Sequence, residues 1–227
     1  MSKKALIIGN SDGIGLRLTK RLLDNTWSII GISRSFSPLN NSEYKHIVSN
    51  VEDESFTEHL KTITSGDNRI DLCVYCVGIG EPLNLEEMQK EIDVFNVNLM
   101  GLIKTATVIV PKMVKRGSGH LIGLSSLADD MLSPEAPSYH ATKAGFTCYL
   151  ESLALALRPK SVAVTNVRFG FVDTKMAKGD LKPFMMSVEK AVGHIMKCIK
   201  KKPVRYSAPK IVIPLIKIRK FMLNLRR

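Results

Sequence analysis

Lys4 to Gly9 is a short apolar run that ends in glycine; GNSDGIG follows, and then a helical pattern through Leu16, Leu18, Leu22 and Leu23. Strand, glycine loop and helix in that order are what a dinucleotide site requires. Gly9, Gly13 and Gly15 allow a tight turn, close approach of backbone to pyrophosphate, and close packing of helix on strand. The helix start, with Ser11, Asp12 and Ile14 around those glycines, offers N–H groups and a partial positive charge to phosphates. An ordinary glycine turn before a helix is the blander alternative, and the strand and helix on either side weigh against it.

The alternation continues along the chain. A second strand, Trp27 to Ser33, ends in Arg34. In such a fold that end faces the adenosine ribose, where an acid would bond the 2′-hydroxyl and an arginine suits a 2′-phosphate. Ser33, Arg34 and Ser35 include no acid, which favours NADP(H) over NAD(H); Asp12 would oppose an added phosphate if it pointed inward. His46 to Asn50 reads as a third strand, about Asp53 to Ile63 as a helix, and Ile70 to Val77 as an apolar fourth strand running into Gly78. Leu83 to Lys115 is mostly helical and contains Asn98. His120 to Ser126 is a fifth strand, Tyr139 to Leu157 a helix, and Val162 to Phe169 a sixth strand. This spacing implies right-handed β-α-β units and an α/β fold whose parallel sheet is covered on both faces. Ligands bind beyond the carboxyl ends of such strands, where Gly9, Gly78, Ser126 and Gly170 all fall.

One stretch, SLADDMLSPEAPSYHATK from Ser126 to Lys143, has the makings of acid–base chemistry. If Tyr139 opens a helix, Lys143 lies one turn on and shares its face. An ammonium beside a phenol favours phenolate and is expected to lower the phenol pKa toward neutrality. Ser126, at the end of an apolar strand, would project its hydroxyl toward the same place. A bare Y-x-x-x-K is common by chance, so its weight comes from the glycine loop at the other end of the chain.

With 227 residues, 44% of them hydrophobic, the chain is most simply one domain. Four consecutive apolar residues before Gly9 are too few for a signal peptide, and no run approaches the roughly 20 of a membrane span. The reading is cytoplasmic. Four cysteines show no paired framework, and Cys73 and Cys76 would point to opposite faces of a strand, so no metal site is expected. All 21 acidic residues lie in positions 1 to 189 with 21 Lys and Arg; positions 190 to 227 hold 12 basic residues and no acidic one. The excess is a property of the tail, unlike the basic folded face of a nucleic-acid binder.

GNSDGIG, Asn98 in NVNLMG, Ser126 in LSSLA, Tyr139 and Lys143 in YHATK, and FGFVDT at Phe169 to Thr174 stand in an order and spacing that resembles the classical short-chain dehydrogenase/reductase family over about residues 4 to 200. The resemblance implies a single-domain Rossmann-type doubly wound sheet of about seven parallel strands, and hydride exchange between a nicotinamide cofactor and a carbonyl or secondary alcohol. It implies that Tyr139 donates the proton in reduction, that Lys143 lowers its pKa and holds the nicotinamide ribose, and that Ser126 bonds the substrate oxygen. Asn98 would hold a water linking Lys143 to solvent, and Thr174 would lie near the nicotinamide carboxamide. Gly78, Gly170, Val172, Asn50 and Val51 would complete the cofactor contacts. Homodimers or homotetramers are usual for the resembled family. Three positions depart from its pattern: Tyr75 to Gly78 reads YCVG for N-N-A-G, Phe169-Gly170 stands for P-G, and Asn50 replaces an Asp.

Lys175 to Ser187 is expected to be the substrate lid, with Met176, Phe184, Met185 and Met186 as an apolar cover. Lys175, Lys178 and Lys182 could attract an anionic group or be merely solvated. Residues 1–208 are read as the dinucleotide-binding domain and 209–227 as a basic, apolar tail helix. That tail could lie on an anionic membrane surface, or pack over the substrate mouth or a partner subunit. A catalytically silent NADP(H) sensor on the same fold is the alternative to an enzyme.

Overall fold

The computed structural model describes residues 2–66, 68–177 and 184–216. Its centre is a seven-stranded sheet in the order β3-β2-β1-β4-β5-β6-β7, parallel throughout. The strands are β1 (Lys4–Ile8), β2 (Ser28–Ser33), β3 (Tyr44–Val48), β4 (Leu72–Tyr75), β5 (Gly119–Ser126), β6 (Val162–Phe169) and β7 (Arg205–Ala208). The helices are α1 (Gly13–Leu23), α2 (Glu54–Ile63), α3 (Gln89–Phe95), α4 (Gly101–Arg116), α5 (Pro137–Leu157) and α6 (Val188–Lys201). From β1 the chain builds outward through β2 and β3, then returns to lay β4 on the other side of β1. That reversal opens a crevice beyond the carboxyl ends of β1 and β4.

Alternation along the strands sorts side chains into two cores. Leu6, Ile8, Cys73 and Tyr75 join α2, α4 and α5 on one face, whereas Ala5, Ile7, Leu72 and Val74 join α1 and α6 on the other. Cys73 and Cys76 divide between these faces as expected, and no metal-binding cluster occurs among the described residues. The run Gln89–Arg116 is long and apolar enough to cross a membrane by composition alone. Its Leu102, Ala106, Ile109 and Met113 are nevertheless buried against the sheet, which makes it a core helix.

Two strand expectations shift. The third strand is Tyr44–Val48 rather than His46 to Asn50, because Tyr44 pairs with Ile29 and Asn50 bonds its own turn through Glu52. The fourth contracts to Leu72–Tyr75, since Val77 and Gly78 already belong to the crevice loop. After Ala208 the chain passes through a cis Pro209 peptide into a helical turn at 212–216. Of the expected tail helix over 209–227, residues 217–227 lie outside the described residues, as do Lys178 and Lys182 of the expected lid.

His120 sits inside the sheet, 2% exposed, with Nε2 2.8 Å from the Thr165 hydroxyl. Burial pushes its pKa down to about 3. The unfolded chain, with an ordinary imidazole near 6.5, binds a proton that the folded one refuses, so stability is full above that value and falls as pH drops below it. A His120→Asn variant should therefore lose about 2 kcal/mol less stability than wild type between pH 7.5 and pH 5, read from urea midpoints.

Candidate active site

The glycine loop after β1 is folded tightly on itself. A Cβ at Gly15 would lie 2.0 Å from the Gly9 carbonyl oxygen, and Gly9 itself has φ 86°. Only glycine lets α1 start this close over the end of its strand. Asp12 caps the helix, its Oδ1 accepting from the Gly13 N–H at 2.7 Å, while Oδ2 pairs with Lys175 Nζ at 2.6 Å. Lys175 and then that backbone bond hold the Asp12 carboxyl below the usual range. Ser11 is half-buried, and Ile14 packs on the α1–α6 core.

Arg34 and Ser35 stand exposed beyond β2. Beneath them runs a polar chain that sequence reasoning missed. Buried Asn10 donates to the Tyr44 hydroxyl at 2.5 Å, that hydroxyl lies 2.8 Å from His46 Nδ1, and His46 Nε2 lies 3.1 Å from Ser35 O. Ser33 also donates to Ser35 O, at 2.9 Å, so the turn bearing Arg34 is fastened from below. Asn50 turns toward Glu52. The Val51 side chain is in the core, and its carbonyl accepts from Lys104.

Between α3 and α4 the helix widens into a single π turn, Asn96–Met100. Such turns leave backbone groups unpaired and redirect side chains. Here Tyr75 donates to the Val97 carbonyl at 2.6 Å, and a Cβ at Gly101 would fall 2.1 Å from the Tyr75 oxygen. The departure at Tyr75 is thus a support for this turn and points away from the crevice. Asn98 is fully buried: its Oδ1 accepts from the Ile79 N–H at 2.8 Å, and its Nδ2 donates to Ile79 O at 2.9 Å and Thr142 Oγ1 at 3.1 Å.

Pro137 opens α5 and places Tyr139 and Lys143 on one face, with Ser126 ending β5 opposite them. Lys143 is 3% exposed; its Nζ donates to Leu124 O at 3.1 Å and lies 5.8 Å from the centre of the Tyr139 ring. The expected lowering of the phenol pKa is not what these residues produce together. Burial raises Tyr139 above the ordinary tyrosine value; a hydrogen bond with Ser126 opposes this, and the Asp129 charge reinforces it. Burial also pulls Lys143 down to about 8, which weakens the cation that was to act on the phenol.

Gly78 and Gly80 border these groups. A Cβ on Gly78 would meet Asn98 Oδ1 at 3.4 Å, Lys143 Nζ at 3.5 Å and Met176 Cε at 3.5 Å; one on Gly80 would meet the Tyr139 ring at 3.3 Å. Asn98, Lys143 and Tyr139 therefore line one recess, and Met176 covers it. The segment that carries Met176 leaves β6 at Gly170, whose N–H donates to Ala208 O; a bridge between Val172 and Met186 joins its two ends, and both of these side chains are buried in the core. Thr174 lies beside the glycine loop, its Cγ2 3.4 Å from where a Cβ on Gly13 would be. Behind the recess, buried Arg168 donates to Asp129 through Nε at 2.6 Å and to Asp130 through Nη2 at 2.7 Å. An arginine in the otherwise apolar end of β6 was the signal that it has acidic partners.

The short chain dehydrogenase family model matches residues 3–183. The chain belongs to the short chain dehydrogenase family. Its relatives include a 3-oxoacyl-[acyl-carrier-protein] reductase of Vibrio harveyi, 30% identical over 78% of this chain and 76% of that one. A protein of Haemophilus influenzae described as a "Probable NADP-dependent dehydrogenase" is 29% identical over 73% and 70%. A Streptomyces avermitilis short-chain dehydrogenase superposes with a TM-score of 0.85 at 20% identity, covering 100% of this chain and 95% of the other. One from Burkholderia cenocepacia, solved in complex with NADP, gives 0.84 at 19%, covering 95% and 92%. The family membership accounts for the recess lying at the sheet's switch point. Removing the cover, Met176→Ala, should speed NADPH association several-fold by stopped-flow fluorescence, with the Asp12–Lys175 pair intact.

Proposed function

We propose that the protein is an NADP(H)-dependent oxidoreductase that transfers hydride between nicotinamide and a carbonyl or secondary alcohol. The convergence of Lys143 and Asn98 beside Gly78 with Tyr139 beside Gly80, and Ser126 hydrogen-bonded with the phenol, carries this reading. The tight Gly9–Gly15 loop at the start of α1 fits a dinucleotide pyrophosphate. When bound, the cofactor supplies the hydride. Ser126 would then hydrogen-bond the carbonyl oxygen, and Tyr139 would give it a proton. A phenol whose pKa burial raises stays protonated at neutral pH, the form a proton donor needs. Lys143 would hold the nicotinamide ribose, Thr174 the carboxamide, and Asn98 a water on the proton path.

NADP(H) is preferred to NAD(H) because Arg34 stands where no acid does, and because Lys175 engages the Asp12 charge that would oppose a 2′-phosphate. The relative named as NADP-dependent and the NADP complex of a structural neighbour are compatible with that preference. The partly exposed Phe171, Met176, Phe184 and Met185 suit a partly apolar substrate. Residues 1–208 would form the dinucleotide-binding unit of a cytoplasmic homodimer or homotetramer. With NADPH and a panel of ketones, turnover should fall on the order of a hundredfold or more in Tyr139→Phe. The reductive rate should decline as pH rises and Tyr139 loses its proton, while alcohol oxidation should increase. Tight NADPH binding without turnover in either direction would instead mark a sensor.

A second reading concerns the tail. Exposed Lys190, Lys197, Lys200, Lys201, Lys202 and Lys210 are followed by exposed Ile211 and Leu215, a pairing suited to an anionic bilayer surface. The full chain should sediment with phosphatidylserine vesicles at low salt and be released by salt, and a chain ending at residue 208 should not bind.

A further inference from the structure

We propose that Glu91 is a positioning residue for Tyr139, acting by pinning the first turn of α5 from the neighbouring helix α3. The 21-residue α5 has no cap of its own: the preceding residue is Ala136, and no side chain at that position accepts from the turn. Its first residue is proline, which has no N–H. The next backbone donor, Ser138 N–H, is accepted by Glu91 Oε2 at 3.2 Å, and the Ser138 hydroxyl donates to Oε1 of the same carboxylate at 3.0 Å. Ser138 is 2% exposed and Glu91 half-buried, so this two-point contact is partly shielded from water. A carboxylate supplied from another helix thus does the work of an N-cap.

The position of this contact gives it a consequence for the phenol. Ser138 immediately precedes Tyr139. One turn later Thr142, whose hydroxyl donates to Tyr139 O at 2.9 Å, accepts from Asn98 Nδ2 at 3.1 Å. The backbone that carries the phenol is therefore held on both sides, by Glu91 at its start and Asn98 at its end. Both holds come from the continuous segment 89–100, formed by α3 and the π turn. If Glu91 is removed, the first turn of α5 keeps only the second hold. The phenol then swings relative to Ser126, and reaction geometry is sensitive to displacements of about 1 Å.

The inference rests on Tyr139 being the proton donor. Hydrogen–deuterium exchange of the full chain, read on peptides covering 137–143, tests the pin without substrate; reduction of ethyl acetoacetate by NADPH, or of the fastest ketone of the panel, tests its consequence. Glu91→Ala should raise exchange at Ser138 and its neighbours about tenfold while leaving β6 and α1 peptides unchanged. It should lower kcat on the order of tenfold with the NADPH Kd and the ketone KM within about twofold of wild type. Glu91→Gln, which retains an acceptor, should recover most of both losses. If Glu91→Ala is too unstable to purify, Ser138→Ala removes one of the two bonds and should show the same pattern in smaller measure. Wild-type exchange over 137–143 in the Ala variants, or a Gln variant as impaired as Ala, would overturn the proposal. Should Tyr139→Phe turn over as fast as wild type, the proposed reaction fails instead, and the exchange result still judges the pin.

Discussion

The recess depends on a single buried carboxamide. Asn98 makes three hydrogen bonds, two with the backbone of Ile79 and one with Thr142, and so joins the loop after β4, the α3–α4 helix and α5. A fully buried amide with its groups engaged is costly to disturb, because any bond broken leaves a polar atom without water. The π turn is what aims Asn98 inward, and Tyr75 supports that turn by taking up the Val97 carbonyl. Position and chemistry are linked here: the segment that presents Asn98 also reaches the start of the helix that presents Tyr139 and Lys143.

Electrostatics around the phenol are set by burial more than by the neighbouring lysine. Lys143 is as desolvated as the group it was expected to tune, and burial lowers its own pKa to about 8, so its ammonium is less firmly held than that of an exposed lysine. Asp129 adds a negative charge nearby, largely answered by Arg168 and by the hydroxyl of Thr147. The outcome is a phenol that burial keeps protonated, hydrogen-bonded with the Ser126 hydroxyl.

Much of this was legible in the residues. Apolar runs ending at glycine or serine located the strands and their crevice, and β6 was delimited at Val162 and Phe169 because a parallel strand buried on both faces has sharp polar borders. The glycine loop, Ser126, Tyr139, Lys143 and Asn98 were visible as motifs. What escaped depended on tertiary distance: the third strand began earlier since its register is dictated by β2, and the pKa of Tyr139 followed from a burial that spacing does not encode. Glu91 lay unremarked in a mostly helical run, and Tyr75 stood only as a departure from the family pattern, because the partners of both are set by tertiary packing.

The close approach of Gly101 to Tyr75 has an evolutionary corollary. A methyl group at 101 and a hydroxyl at 75 cannot share the same space, 2.1 Å apart. Position 101 is then not free to enlarge alone: a side chain there is admissible only after residue 75 has lost its hydroxyl. Among descendants of this sequence, a change at 101 should follow one at 75 and not precede it.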